Sequence, residues 1–286
     1  MRQLIRIELY KLLHTKRFWI CLLIGIAISM LNVLYFWDGW QQKQAYWKEL
    51  MSYYGAQANP AFPSFTLYNT WIGNEGYTFS VSVLYFVFPL LCCIPFGWTL
   101  NEDVKTGYLK NIAVRTDRKK YFFAKYLCTF FSGGFTMATP LIVNFVANAM
   151  FIPALRPDTM YPYYTMLQRS FLSDMYCEKP LLFNIIYLLI SFGYCGLIAM
   201  ISCACGYVMN HKVIAVIVPF GGILLMHYLS TMLSGNGYEW SPLYCIHATP
   251  IRYPNSGGII LLYSIVMLLI TFGIMYRKGK QKYEIY

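Results

Sequence analysis

Apolar residues along this chain gather into six stretches, at about 18–37, 79–100, 126–152, 181–208, 213–233 and 258–276. About 20 such residues, wound as a helix, cover the roughly 30 Å hydrocarbon core of a bilayer, so each stretch predicts one transmembrane helix. Polar and small residues punctuate them. Pro89 and Pro95 in the second stretch, Pro140 in the third and Pro219 in the fifth each remove a helix hydrogen bond and predict kinks. On the fourth, Ser191, Cys195, Ala199 and Cys203 recur every four residues, a small-residue stripe that lets another helix approach closely. Asn144 and Asn148 lie one turn apart on one face of the third. Buried amides need partners, found either between helices or along a substrate path. His227 is the one ionisable residue inside the six stretches and reads more readily as a hydrogen-bond partner than as a proton relay.

The connecting segments are unequal. Three run long, at about 38–78, 153–180 and 234–257, while two on the other side are a charged link near 101–125 and a tight turn at 209–212. In the first long segment Trp40, Trp47, Met51 and Tyr54 fall on one helical face. That predicts an amphipathic helix on the membrane surface or against the bundle, or an aromatic surface for a lipophilic substrate. The first apolar stretch follows a basic head but is too long for a signal-peptide core and lacks a small-residue cleavage site, so it is read as a retained span.

Composition supports the same class: 58% hydrophobic, 19% aromatic and 12% charged, against roughly 25% charged in soluble domains. The fold class predicted is an all-α polytopic membrane protein with six spans in one domain over residues 1–286. Basic residues beside spans tend to stay cytoplasmic. With the N-terminus inside, 17 of the 23 lysines and arginines fall on the inner face, giving it +12 and the outer face −1. The predicted topology is therefore N-in and C-in. Insertion and anionic lipid already account for the net charge of +11, and no nucleic-acid module is present.

Catalytic signatures are absent. The histidines at 14, 211, 227 and 247 make no H-E-x-x-H, and no nucleophile elbow, dinucleotide fingerprint or phosphate loop occurs, so the chain is predicted not to be an enzyme and not to hydrolyse ATP. Nine cysteines show no metal spacing, and no metal site is predicted. Cys177 and Cys245, the two in the outer segments, are expected to lie close enough for a disulfide.

Residues 101–125, "NEDVKTGYLKNIAVRTDRKKYFFAK", carry ten charged side chains between the second and third stretches. A short charged link held between two spans suits force transmission from a partner that changes shape. Glu102 and Asp103 could pair with basic residues of that partner, and Tyr108, Leu109 and Ile112 could offer it an apolar ridge. The alternative is a capped helix start and a lipid anchor.

An acidic pair, a glycine, an "LKN" step, a basic cluster and an "AK" at the next span resemble the permease subunit of type-2 ABC transporters. The head "LIRIELYKLLHTKRFWI", with Glu8 and Lys11, is similar to that family's N-terminal interfacial helix, here 1–17. The resemblance implies half of a dimeric membrane domain, completed by a second permease copy or paralogue. It implies a coupling helix built from Glu102, Asp103, Gly107, Tyr108, Leu109 and Ile112, docked on a separate ATPase subunit that carries the ATP and Mg. It further implies a multi-pass exporter in a bacterial plasma membrane. The charge-poor, aromatic interior suits amphipathic cargo, and similar small permeases serve antimicrobial-peptide export or self-immunity. A pore, scaffold or sensor without ATP coupling is the alternative.

Overall fold

The structure, a computed structural model, describes residues 1–55, 65–158, 166–209, 211–233 and 237–280. Parts of the three long connecting segments, and Asn210 of the tight turn, lie outside the described residues. Every regular element among the described residues is a helix. Five of them are long and apolar enough to cross a membrane, which makes this a multi-pass membrane protein.

α1 (Arg2–His14) ends at Thr15, whose extended backbone turns the chain into α2 (Lys16–Tyr54). At 39 residues and about 1.5 Å per residue, α2 extends roughly 58 Å, nearly twice the bilayer core. The first predicted span and the aromatic segment beyond it are thus one uninterrupted helix, because no proline divides them. Trp40 and Trp47 are half-buried on it, while Met51 and Tyr54 are exposed. The short α3 (Leu67–Thr70), opened by a capping box between Thr66 and Asn69, leads into a segment at 71–78 that is buried apart from Gly76 and the exposed Tyr77.

The second predicted span is corrected by the structure. α4 (Phe79–Cys93) has 15 residues, roughly 22 Å, and the chain then turns before α5 (Thr99–Lys105). Pro89 stays within α4. The helix ends around Pro95 and Gly97, where a Cβ on Gly97 would stand 2.1 Å from Ser202 Oγ and 2.5 Å from the Cys93 carbonyl oxygen. That close approach admits only glycine and fixes the break.

After α6 (Tyr108–Arg115), α7 (Arg118–Ala149) and α9 (Pro180–Met209) form the spine of the bundle. Between them lies α8 (Ser173–Glu178). The small-residue stripe on α9 receives Gly133 of α7, whose Cβ would lie 2.6 Å from both Ala199 Cβ and the Cys195 carbonyl oxygen. α2, α4, α10 (Lys212–Leu233) and α11 (Gly257–Lys280) pack around this pair. Pro140 and Pro219 remain inside α7 and α10. The N-terminus, α1, α5, α6 and residues 211–212 gather at one end of the bundle, and the described residues 65–78, 150–158, 166–178 and 237–256 at the other.

Candidate functional site: an ion-paired joint at the N-terminal end

The middle of α5 carries three consecutive polar residues that reach in different directions, since successive helical positions are about 100° apart. Asn101 is fully buried and donates from Nδ2 to the Gly206 carbonyl of α9 at 2.9 Å. Glu102 accepts at Oε1 from Lys212 Nζ of α10 at 2.8 Å and from Arg17 Nη2 of α2 at 3.4 Å. Arg17 also lies over the Trp98 ring, 4.8 Å from its centroid. Burial raises the Glu102 carboxyl, but the Lys212 hydrogen bond and the Arg17 charge outweigh it and hold the group below the ordinary carboxylate value.

Asp103 faces the other way. Its Oδ2 accepts from Lys125 Nζ at 2.5 Å and from the Tyr121 hydroxyl at 2.5 Å, both on α7. Lys125 also reaches Glu8 Oε2 of α1 at 2.9 Å, and Lys11 bridges from above, 3.2 Å from Glu8 Oε1 and 3.8 Å from Asp103 Oδ1. Glu8 and Lys125 are each 1% exposed. Two carboxylates against two ammonium groups leave no net charge, the condition under which buried ions are tolerated. The aliphatic stems and rings around them complete the packing. Lys11 Nζ sits 3.7 Å from the Tyr108 centroid, and Leu12, Phe18, Phe96 and Cys128 form a small core beneath α1.

The adjacent carboxylates of α5 therefore tie it to α1, α2, α7 and α10. Both acidic groups have their partners within the chain. The ridge of Tyr108, Leu109 and Ile112 likewise turns inward: Leu109 is buried and the other two are half-buried against the main core. Gly107 adopts φ +73°, the left-handed conformation that reverses the chain between α5 and α6, with open space where a Cβ would stand. Facing outward are Lys105, Lys110, Asn111, Arg115, Lys119 and Lys120, together with Val114, which is 85% exposed. Asp117 caps α7 by accepting from the Lys119 N–H at 3.1 Å.

Asn144 and Asn148 lie toward the other end, fully buried. Asn144 donates to the Ser29 carbonyl and to Asn32 Oδ1, each at 2.9 Å, and accepts from the Ile72 N–H at 3.0 Å. Asn148 donates to the Thr70 carbonyl and to Asn144 Oδ1, each at 3.2 Å. They staple α2 and the 70–72 segment to α7. His227 meets Ser241 Oγ at 2.6 Å. Cys177 and Cys245, expected to lie close enough for a disulfide, are not joined by one in the structure. Cys245 is 1% exposed within the core, its thiol turned to the Pro242 carbonyl at 3.7 Å.

Sequence reasoning missed Glu75 and His247, both buried in the connecting segments of the far end. Lys125 entered only as half of the "AK" step, and its position just ahead of an apolar run was the available signal. Among the described residues, no group of three His, Cys, Asp or Glu side chains is placed to hold a metal ion. A large apolar cleft of about 600 Å³ opens between α9 and α11, lined by Phe130, Tyr194, Leu197, Ile260, Ser264 and Leu268 among others. No family model, curated protein or solved structure matches the chain.

Proposed function

We propose that the chain is the membrane subunit of an ATP-driven exporter, with the α5–α6 elbow as the coupling element that a separate ATPase grips. The observation that carries this reading is the anchoring of α5. Through Asn101, Glu102 and Asp103 it is bonded to five other helices, so a push on the elbow moves the bundle rather than a loose loop. In this reading α4 and the turn at 94–98 together complete a sixth crossing, and both termini are cytoplasmic, in keeping with the basic residues. A second copy or paralogue completes the pathway, the partner holds ATP and Mg, and the cargo is amphipathic, with antimicrobial peptides the favoured class.

The carboxylates being engaged within the chain, docking falls to the outward face, which carries Lys110, Val114 and Arg115. Its partner then needs an acidic cleft with an apolar socket. A Lys110→Glu, Val114→Asp, Arg115→Glu variant places like charges at that interface, which costs several kcal/mol, and touches none of the internal ion pairs. It should insert and melt as the wild type yet no longer copurify with a phosphate-loop ATPase from its own membrane. Retention of that ATPase and of transport would rule out docking at the elbow. A wild-type chain that copurifies with no ATPase would favour the pore, scaffold or sensor reading.

A further inference from the structure

The far end of the bundle holds a second buried ionisable pair, away from the elbow and independent of its proposed role. Glu75 is 1% exposed and its carboxylate accepts four hydrogen bonds. Oε1 accepts from the Tyr77 N–H and from the Thr78 N–H at 2.7 Å; Oε2 accepts from the Thr78 hydroxyl at 2.7 Å and from Asn32 Nδ2 at 3.3 Å. Asn32 is oriented for this by Asn144, which donates to its Oδ1 at 2.9 Å. Three of these four bonds come from N–H groups that can only donate, and the Thr78 hydroxyl, which also meets Ser80 Oγ at 2.9 Å, is the one partner able to donate or accept. Such a donor-rich setting suits a carboxylate.

Opposite it, three consecutive main-chain carbonyls, those of Gly73, Asn74 and Glu75, accept from the 247–249 segment. Ala248 N–H donates to Gly73 at 2.9 Å, the Thr249 hydroxyl donates to Asn74, and His247 Nε2 meets Glu75 at 2.9 Å. The other ring nitrogen, Nδ1, meets the Thr249 carbonyl at 2.6 Å. A carbonyl oxygen only accepts, so satisfying both contacts takes hydrogen on both ring nitrogens, and an imidazole with two N–H groups is a cation. His247 is fully buried, where a neutral ring would turn a lone pair on one of those oxygens.

We propose that the far end of the bundle is a proton-binding site, in which Glu75 as carboxylate and His247 as imidazolium form a buried pair that locks the 71–78 segment to the 245–249 segment. Each charge supplies what the other lacks. Glu75 has no cation among its hydrogen-bond partners, and a buried carboxylate without one is strongly disfavoured. The remaining titratable groups nearby are Tyr85 of α4, its ring 4.8 Å from that of His247, Tyr187 of α9, which bonds Asn255, and Cys245, Glu239 and Arg252 on the histidine's own segment. Phenols and thiols are neutral at physiological pH, and burial leaves the Glu239 carboxyl raised although the Ser241 N–H and the Arg252 charge lower it. Burial opposes the pair at both ends, pushing the Glu75 carboxyl up and pulling the imidazole down to about 4 despite the two carbonyls that raise it. The ring meets the Glu75 main-chain carbonyl and not its carboxylate, so any attraction between the two charges acts through the shared segment and not through a direct ion pair. Deprotonation of His247 would release one carbonyl from the zipper and loosen the closure.

Nitrogen-resolved NMR of the full chain in micelles, with ¹⁵N-histidine, tests this directly. Four histidines are present, and single replacements of His14, His211 and His227 assign three, leaving His247. Both of its ring nitrogens should show protonated shifts at pH 7.5, and Glu75→Gln should move the loss of the second proton to lower pH. A single neutral tautomer of His247 at pH 6 would overturn the proposal. Melting against pH supplies an opposite sign for the two cases. An imidazolium with a raised folded value stabilises the wild type over His247→Gln below about pH 6.5, and that advantage fades as pH rises through the folded value. A buried neutral ring would instead give an advantage that grows above pH 6.5 and is lost on acidification.

Discussion

Replacing Lys125 by methionine keeps most of the side-chain volume and removes the one cation that Glu8 and Asp103 share within the protein interior. The loss starts from the 3–5 kcal/mol typical of removing one partner from a buried ion pair. Two features reduce it. Lys11 stays 3.2 Å from Glu8 and 3.8 Å from Asp103, and the Tyr121 hydroxyl still serves Asp103. The expected cost is therefore at the lower end, about 3 kcal/mol, or roughly 6 °C in melting temperature for a chain of this size. A Glu8→Met, Lys125→Met double variant removes the stranded carboxylate together with its cation. Buried ion pairs replaced by well-packed apolar groups are often no less stable, and Asp103 keeps Lys11 and Tyr121, so the double variant should recover most of the loss. Thermal melts of the three purified proteins in one detergent at pH 7 give the comparison. If Lys125→Met melts within about 1 °C of wild type, or the double variant melts no higher than the single, the cluster does not hold the joint.

Two further outcomes follow from the packing and charge. Gly133→Leu drives a side chain into Ala199 and the Cys195 carbonyl at 2.6 Å and should abolish a monodisperse peak in detergent chromatography. Gly193→Ala, with nothing within 4 Å of its Cβ, should run normally and melt no lower, since alanine favours a helix by up to about 1 kcal/mol. Because the Glu102 carboxyl is held below its ordinary value of 4.5, its pairs with Lys212 and Arg17 contribute fully above that pH and are lost as pH falls through the folded value. The melting gap between wild type and Glu102→Gln should accordingly be present at pH 6 and narrow steadily below about pH 4.5.

Helix positions were legible because apolar runs of span length have few other readings. The second span failed for a reason that local sequence does not hold. Pro89 and Pro95 look alike in the sequence, yet the first stays within α4 and the second sits at its end. What separates them is Gly97 pressed against Ser202, a contact with a helix more than a hundred residues away. Glu102 and Asp103 were visible as the charges that stand out ahead of a basic run. Their partners were not visible, since Glu8 and Lys125 are 117 positions apart and only the packing of α1 against α7 brings them together. Glu75 sits in "NEGYT", which reads as a solvated turn, and His247 in "CIHATP" carries no pattern at all. Both are recognisable only once two distant connecting segments are seen to share carbonyls.

The two charged sites stand at opposite ends of the bundle, and α7 touches both. Lys125 and Tyr121 belong to the joint near its start; Asn144, near its end, orients Asn32 toward Glu75. Between them α7 is held to α9 by interlocked surfaces, with Gly133 against Ala199, Gly134 under Phe192 and Gly196 under Phe130. Contacts this close leave no room for the two helices to slide past one another without opening voids or clashes, both of which are costly in a close-packed interior. α2 is held to the same spine by Gly25 against Pro140 and by the Asn144 bonds to Ser29 and Asn32. Glu102 links α5 to α2 and α10, while Asp103 links it to α7 and α1. Two neighbouring carboxylates thus hold one short helix from two sides, Asp103 from the buried spine and Glu102 from the outer helices.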